Sequence, residues 1–121
     1  MKMSLFTLLA RIPGPVSLKW PEGERFVVAF SHGTMSVELY APSGADSQTP
    51  HTQDELYFIQ SGKGELVLNG TRYACSIGDA FFVSAGVEHR FENFSNDFTT
   101  WAVFWEPQGG ERATRAAEFN R

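Results

Sequence analysis

An all-β fold, a barrel or a sandwich of short strands, is what this sequence predicts. Three observations carry that expectation. Short apolar runs rich in β-branched and aromatic residues recur from Val16 onward, each closed by a turn signal. Residues Thr34–Tyr40 alternate with period two: Met35, Val37 and Leu39 against Ser36, Glu38 and Tyr40. Eleven Phe and three Trp in 121 residues are a heavy load of side chains that favour strands and fill cores.

The elements follow in order. Met1–Ala10, MKMSLFTLLA, reads as a short amphipathic helix capped by Ser4 and ended before Pro13, within a helical segment over 1–14. A secretory leader would need roughly 7–15 uninterrupted apolar residues and a small-residue cleavage site, and Thr7 and Arg11 interrupt this run. Strands are expected at Arg25–Ser31 and Thr34–Tyr40 around His32-Gly33, then a loop over Pro42–Pro50. Glu55–Gln60 is the next strand. Glu65–Leu68 and Thr71–Cys75 flank Asn69-Gly70, a dipeptide suited to a type I′ hairpin because both central residues take positive φ. Ala80–Ser84, Glu88–Phe94 and Phe98–Trp105 complete the set, and residues 108–121 form a polar C-terminal tail.

Composition narrows the function classes. The length suits one domain over 1–121, and 42% apolar with 20% charged residues is ordinary globular composition. A net charge of −4 without a Lys/Arg cluster argues against nucleic acid as a partner. Cys75 is the single cysteine, so no internal disulfide forms, and no run approaches the ~20 apolar residues of a membrane span. The cytoplasm is the default compartment, with no membrane partner.

Two segments carry chemistry. In TPHTQDELYFIQSG, Thr49 to Gly62, His51 and Glu55 share parity, but an extended chain would hold them about 13 Å apart. Both reach one ion only if the chain bends, and Pro50 with Thr52-Gln53-Asp54 allows a bend. In GDAFFVSAGVEHRFEN, Gly78 to Asn93, solvating Glu88, Arg90 and Glu92 turns Val87, His89, Phe91 and Asn93 inward. A buried neutral imidazole needs partners for its ring nitrogens. Together His51, Glu55 and His89 give two imidazoles and a carboxylate, the ligand set of a facial triad with open positions. The bland alternative is a core histidine, a surface histidine and a solvated glutamate. Thr49, Gln53 and Tyr57 are the expected pocket-lining residues, Tyr57 with core packing as an equal alternative. His32 is expected in solvent, Cys75 in the core, and Asp54 solvated or in a turn. No Ser/His/Asp or Cys/His pairing is spaced as a nucleophile, so no catalytic residue is named.

These segments resemble the paired motifs of the cupin superfamily. The first cupin motif runs His-x-His, three or four residues, Glu, six residues, Gly, and here His51, Glu55 and Gly62 keep those spacings. The second runs Gly, five residues, Pro-x-Gly, two residues, His, three residues, Asn, and Gly78, Gly86, His89 and Asn93 fit it. Thr49 replaces the first motif histidine and Ser84 the motif proline. The resemblance implies a cupin-type jelly-roll β-barrel with one divalent metal (Fe, Mn, Zn or Ni) held by His51, Glu55 and His89. It further implies a homodimer and a small-molecule ligand or substrate. The expected function is a metal-dependent enzyme of dioxygenase or isomerase type acting on a small organic molecule. The alternative is a non-enzymatic small-molecule-binding module, with or without metal. With no second domain to read DNA, a direct regulatory role is not expected.

Overall fold

Ser4 opens the first element. Its hydroxyl oxygen accepts the Thr7 backbone N–H at 3.2 Å and caps helix α1 (Leu5–Leu9), satisfying one of the donors that a helix start leaves unpaired. The structure, a computed structural model, describes residues 1–105; the tail expected over 108–121 lies outside them. Leu8 is the fully buried residue of α1, and the helix packs against β2 (Met35–Tyr40), whose Leu39 is equally buried. The N-terminal segment thus covers the outer face of a strand.

The remaining strands are β1 (Phe26–His32), β3 (Asp54–Ser61), β4 (Lys63–Leu68), β5 (Thr71–Ser76), β6 (Ala80–Val83), β7 (His89–Glu92) and β8 (Thr99–Trp105). They form a five-stranded sheet, β1-β2-β8-β3-β6, and a three-stranded sheet, β5-β4-β7, with antiparallel pairing throughout. Two antiparallel sheets in this order make the jelly-roll barrel that the sequence implies. The β4–β5 turn has φ 49° at Asn69 and 83° at Gly70, both positive as a type I′ hairpin requires. β7 stops at Glu92, two residues before the expected end at Phe94. Asn93 adopts φ 52° and donates its amide to Glu65 Oε1 at 2.6 Å, so it leaves the strand and is exposed.

Register places the site. Glu38, Ala102, Tyr57 and Phe81 are successive partners across β2, β8, β3 and β6, while Ser36, Phe104, Glu55 and Val83 form the adjacent row. Because side chains alternate between faces, both rows point to the same, inner side. There Tyr57 meets Phe91 of the smaller sheet with ring centroids 4.8 Å apart, and Phe91 meets Phe98 at 4.9 Å. Leu66, Ile59, Val83 and Cys75 complete this core, each large apolar side chain contributing roughly 1.5–3 kcal/mol on burial.

Candidate metal centre

His51 lies three residues before β3 begins, in the bend that its meeting with Glu55 demands. The bend is fixed from the other motif: Gly86 N–H donates to the His51 carbonyl at 2.8 Å, from a residue at φ 80° that favours glycine. Glu55 is the second residue of β3 and His89 the first of β7. These three side chains converge. His51 Nε2 lies 2.7 Å from Glu55 Oε1 and 3.2 Å from His89 Nε2, and His89 Nε2 lies 3.4 Å from Glu55 Oε1. Glu55 and His89 are 1% and 0% exposed, and His51 opens to the outside at 22%.

The tautomers follow from the backbone. His51 Nδ1 lies 2.9 Å from the Gln53 carbonyl, and His89 Nδ1 lies 2.9 Å from the Val87 carbonyl. A carbonyl only accepts, so each Nδ1 carries its proton, and in the neutral ring Nε2 is left as a lone pair. Two lone pairs and a carboxylate oxygen then face one another at hydrogen-bonding range, an arrangement that needs a cation among them. A proton on one imidazole meets that need, and so does a metal ion. The His89 pKa reflects the proton case: burial alone would lower it, but the Glu55 hydrogen bond, the Val87 carbonyl and the charges of Glu55 and Asp46 outweigh burial and raise it.

The donor set also fits a metal. Two ligands at about 2.1 Å from one ion, subtending 90–110°, lie about 3.0–3.4 Å apart, close to the separations here. Glu55 Oε2 is buried with no hydrogen-bond partner among the described residues, an uncompensated state that a bound cation would relieve. The carbonyls on Nδ1 are the outer partners that orient ligating imidazoles. No other group of His, Cys, Asp and Glu among the described residues converges in this way.

The sequence left several neighbours unnoticed. A cleft of about 250 Å³ opens beside His51, lined also by Thr49, Glu38, Tyr40, Gln48 and Trp20. Glu38 stands in it with its pKa raised from 4.5 to about 8, chiefly by burial and then by the charge of Glu55. Its inward face was legible only from register, because Leu39 on the opposite face is buried too. Asp46, within the loop expected over Pro42–Pro50, is 5% exposed. It accepts from the Tyr40 hydroxyl at 2.5 Å, Gln48 Nε2 at 2.8 Å and the Phe91 N–H at 2.9 Å. This network ties the 41–50 segment to both sheets and so holds Thr49–His51 at the barrel mouth. The Asp-x-Gln turn, with Gln48 N–H on Asp46 Oδ1 at 3.0 Å, was the only local signal.

The other expected residues fall as follows. Tyr57 is fully buried, donates its hydroxyl to Gln48 Oε1 at 3.1 Å, and has its ring 6.1 Å from that of His89. It serves core and site together; burial, then the charge of Glu55, raises its pKa. Gln53 sends its amide to the Thr34 carbonyl at 3.3 Å, toward the β1–β2 hairpin. Cys75 is in the core, its thiol pushed up to about 11 mainly by burial, and His32 is exposed. Asp54 requires correction: it is 4% exposed, and Oδ1 accepts the Ala85 N–H at 2.9 Å. Its parity does set it opposite Glu55, but the Ala85 turn covers that face.

The comparisons with known proteins agree with this architecture. An uncharacterised protein of Streptomyces coelicolor is 40% identical over 76 residues, covering 61% of this chain and 72% of its own length. The transcriptional activator RhaS of Yersinia pestis, of the helix-turn-helix type, is 31% identical over 77 residues; these are 64% of this chain but 28% of RhaS. Among solved structures, a conserved barrel domain protein of the Cupin 2 type from Salinispora arenicola superposes with a TM-score of 0.58 at 22% identity, covering 67% of this chain and 74% of its own. The family model for the cupin domain matches residues 36–105, more than half of the chain, which therefore belongs to the cupin family.

Proposed function

We propose that this cupin holds one divalent metal ion through His51, Glu55 and His89 and acts as a metal-dependent enzyme, of dioxygenase or isomerase type, on a small organic molecule. The observation that carries the proposal is the meeting of two proton-free Nε2 atoms and the Glu55 carboxylate, with Glu55 Oε2 unpartnered. A bound ion with open positions would supply Lewis acidity toward a carbonyl, or O₂ chemistry if it were iron or manganese, with zinc and nickel suiting the redox-free route.

The chain's own groups have definable parts. The Gln53 and Val87 carbonyls hold both imidazoles in the ligating tautomer. The Phe104 ring, 4.9 Å edge-on from His51, shields one side of the centre. Glu38, whose pKa burial raises in the metal-free protein, faces the cleft as a group that can hold a proton and exchange it with a substrate. The cleft volume sits below the usual range for ligand sites and favours a small substrate. The unpaired, buried Cys75 suits a reducing compartment and supports the cytoplasm; among the described residues no helix is long and apolar enough to cross a membrane. Phe58 and Phe82, exposed at 43% and 54%, lie on the outer face of the larger sheet, an apolar surface that supports a homodimer.

Elemental analysis of protein purified without an affinity metal, repeated on Glu55→Gln, tests the centre. Stoichiometric metal in the wild type and its loss in the folded variant are expected, with His32→Ala unchanged; equal metal in Glu55→Gln defeats the assignment. The similarity to RhaS favours a second reading, a ligand-binding module without turnover. Metal-loaded protein that binds small molecules yet converts none of them, with or without O₂, would favour it.

A further inference from the structure

Part of the lining of the cleft beside His51 comes from outside the region that the family model matches. Lys19 and Trp20 line the 250 Å³ cleft together with His51 and Glu38, and also line a second cleft of about 330 Å³ with Arg25 and Ser43. They form the ridge between the two, on a loop that precedes residue 36, where the family match begins.

That loop is built to be rigid. Its ends are joined by Gly14 N–H on the Glu24 carbonyl at 2.7 Å and Glu24 N–H on the Pro15 carbonyl at 3.0 Å. Gly23 closes the neck at φ 101°, where a Cβ would stand 2.7 Å from both the Gly14 oxygen and Pro13 Cβ. Within the loop, Trp20 N–H donates to Ser17 Oγ at 3.1 Å, and the Trp20 carbonyl accepts from Ser17 and Gly23 N–H, both at 3.0 Å. The indole meets Phe26 edge-on at 5.9 Å. Its ring position is therefore set before any ligand arrives, which reduces the entropy lost on binding.

Lys19 supplies the charge. Its ammonium lies 5.9 Å from the Trp20 ring centroid, and no carboxylate of the described residues pairs with it. Among the described residues it is the only lysine or arginine lining this cleft. Arg25 on the neighbouring cleft directs its Nε to the Ala41 carbonyl at 2.8 Å. An ammonium held beside an aromatic face suits a flat anion, and a divalent ion at the centre would add to the positive charge of the cleft.

We infer that Lys19 and Trp20 are specificity-determining residues that select a small planar organic carboxylate for this cleft, the carboxylate on the Lys19 ammonium and the flat body against the indole. This rests on reading the cleft as the small-molecule site of the protein, and it adds the ligand class to that reading.

The test uses benzoate, its neutral isostere benzamide, and phenyl phosphate. Binding to the full chain is measured by calorimetry, zinc-loaded and metal-free, with zinc content determined for each variant. Expected is benzoate binding about tenfold tighter than benzamide, with a preference that weakens in high salt. Lys19→Met should abolish the preference at unchanged zinc content, Lys19→Arg should keep it, and Trp20→Leu should weaken both ligands. Equal binding of benzoate and benzamide, no binding of either at millimolar concentration, or a preference untouched by Lys19→Met overturns the inference. Tighter binding of phenyl phosphate than of benzoate overturns the carboxylate assignment. If the protein takes up no metal yet shows a Lys19-dependent preference for benzoate, the metal-enzyme reading fails and this inference stands. If zinc is bound and the preference is missing, the reverse holds.

Discussion

His51 Nε2 and His89 Nε2 lie 3.2 Å apart, 38 residues distant in sequence, and each ring has its other nitrogen on a backbone carbonyl. Whatever cation satisfies this pair competes with every other cation for it. Protons and metal ions are therefore rivals at the centre.

Metal affinity should fall with decreasing pH, and the fall should begin above about 6.5, the ordinary imidazole value. His89 holds its proton to higher pH than usual in the metal-free protein, so proton competition starts earlier on the way down. Each displaced proton lowers apparent affinity about tenfold per pH unit below its pKa. Competition with a chelator between about pH 5.5 and 8.5 measures this. A flat profile would remove both histidines from the ligand set.

Glu38 makes a separate prediction about stability. Its folded-state value, about 8, lies above the ordinary 4.5, so between those values the folded protein retains a proton that the unfolded chain has released. The stability of the neutral carboxyl is fully present below pH 4.5 and is lost as pH rises through 8. In metal-free protein, Glu38→Gln should melt several degrees above wild type near pH 9 and close to it near pH 4.5, since roughly 4 °C corresponds to 1 kcal/mol in a chain of this size. Thermal melts followed by circular dichroism decide it; a difference independent of pH means that Glu38 is not buried as a neutral group.

Thr49 lines the same cleft as His51, at the position where the motif resemblance implies a histidine. Thr49→His should raise metal affinity about tenfold, ~1.4 kcal/mol, and lower any turnover by filling an open position. An unchanged affinity in folded variant protein would show that residue 49 does not reach the ion.

Gly62 should tolerate nothing larger. At φ 78°, an added Cβ would lie 2.6 Å from Ser95 Oγ and 2.7 Å from Phe98 Cα, and the second of these is backbone that cannot swing aside. Gly62→Ala should cost on the order of 2–3 kcal/mol, read as a lowered denaturant midpoint at unchanged slope. A loss under about 0.5 kcal/mol would mean that the β3–β4 turn relaxes freely.

Strand positions were legible because each apolar run here ends at a residue with backbone reasons to stop it, as Asn69-Gly70 does for β4. The convergence of His51, Glu55 and His89 was legible from spacing, since two motif glycines and a proline-led bend left few ways to seat His51 near Glu55. Burial of the polar residues was not. Asp46 lies in a stretch that reads as a loop and Asp54 reads as solvated or in a turn, and only tertiary partners distant in the chain, Phe91 and Ala85, bring their carboxylates inside. Glu38 escaped notice because β2 is covered on both faces, by the core on one and α1 on the other, so its alternation did not say which side was inward. The cleft wall at Lys19 and Trp20 belongs to no periodic element, and nothing local announced it.

The bond from Phe91 N–H to Asp46 Oδ2 has a consequence beyond holding the loop. β7 is a border strand of the three-stranded sheet, and a border strand's free N–H groups invite pairing by a strand of another molecule. Here one of those donors is already taken by a buried acid whose second oxygen is held by Tyr40. The side chain that shapes the barrel mouth thus also occupies one donor along β7, leaving one fewer for a strand of another molecule to pair with.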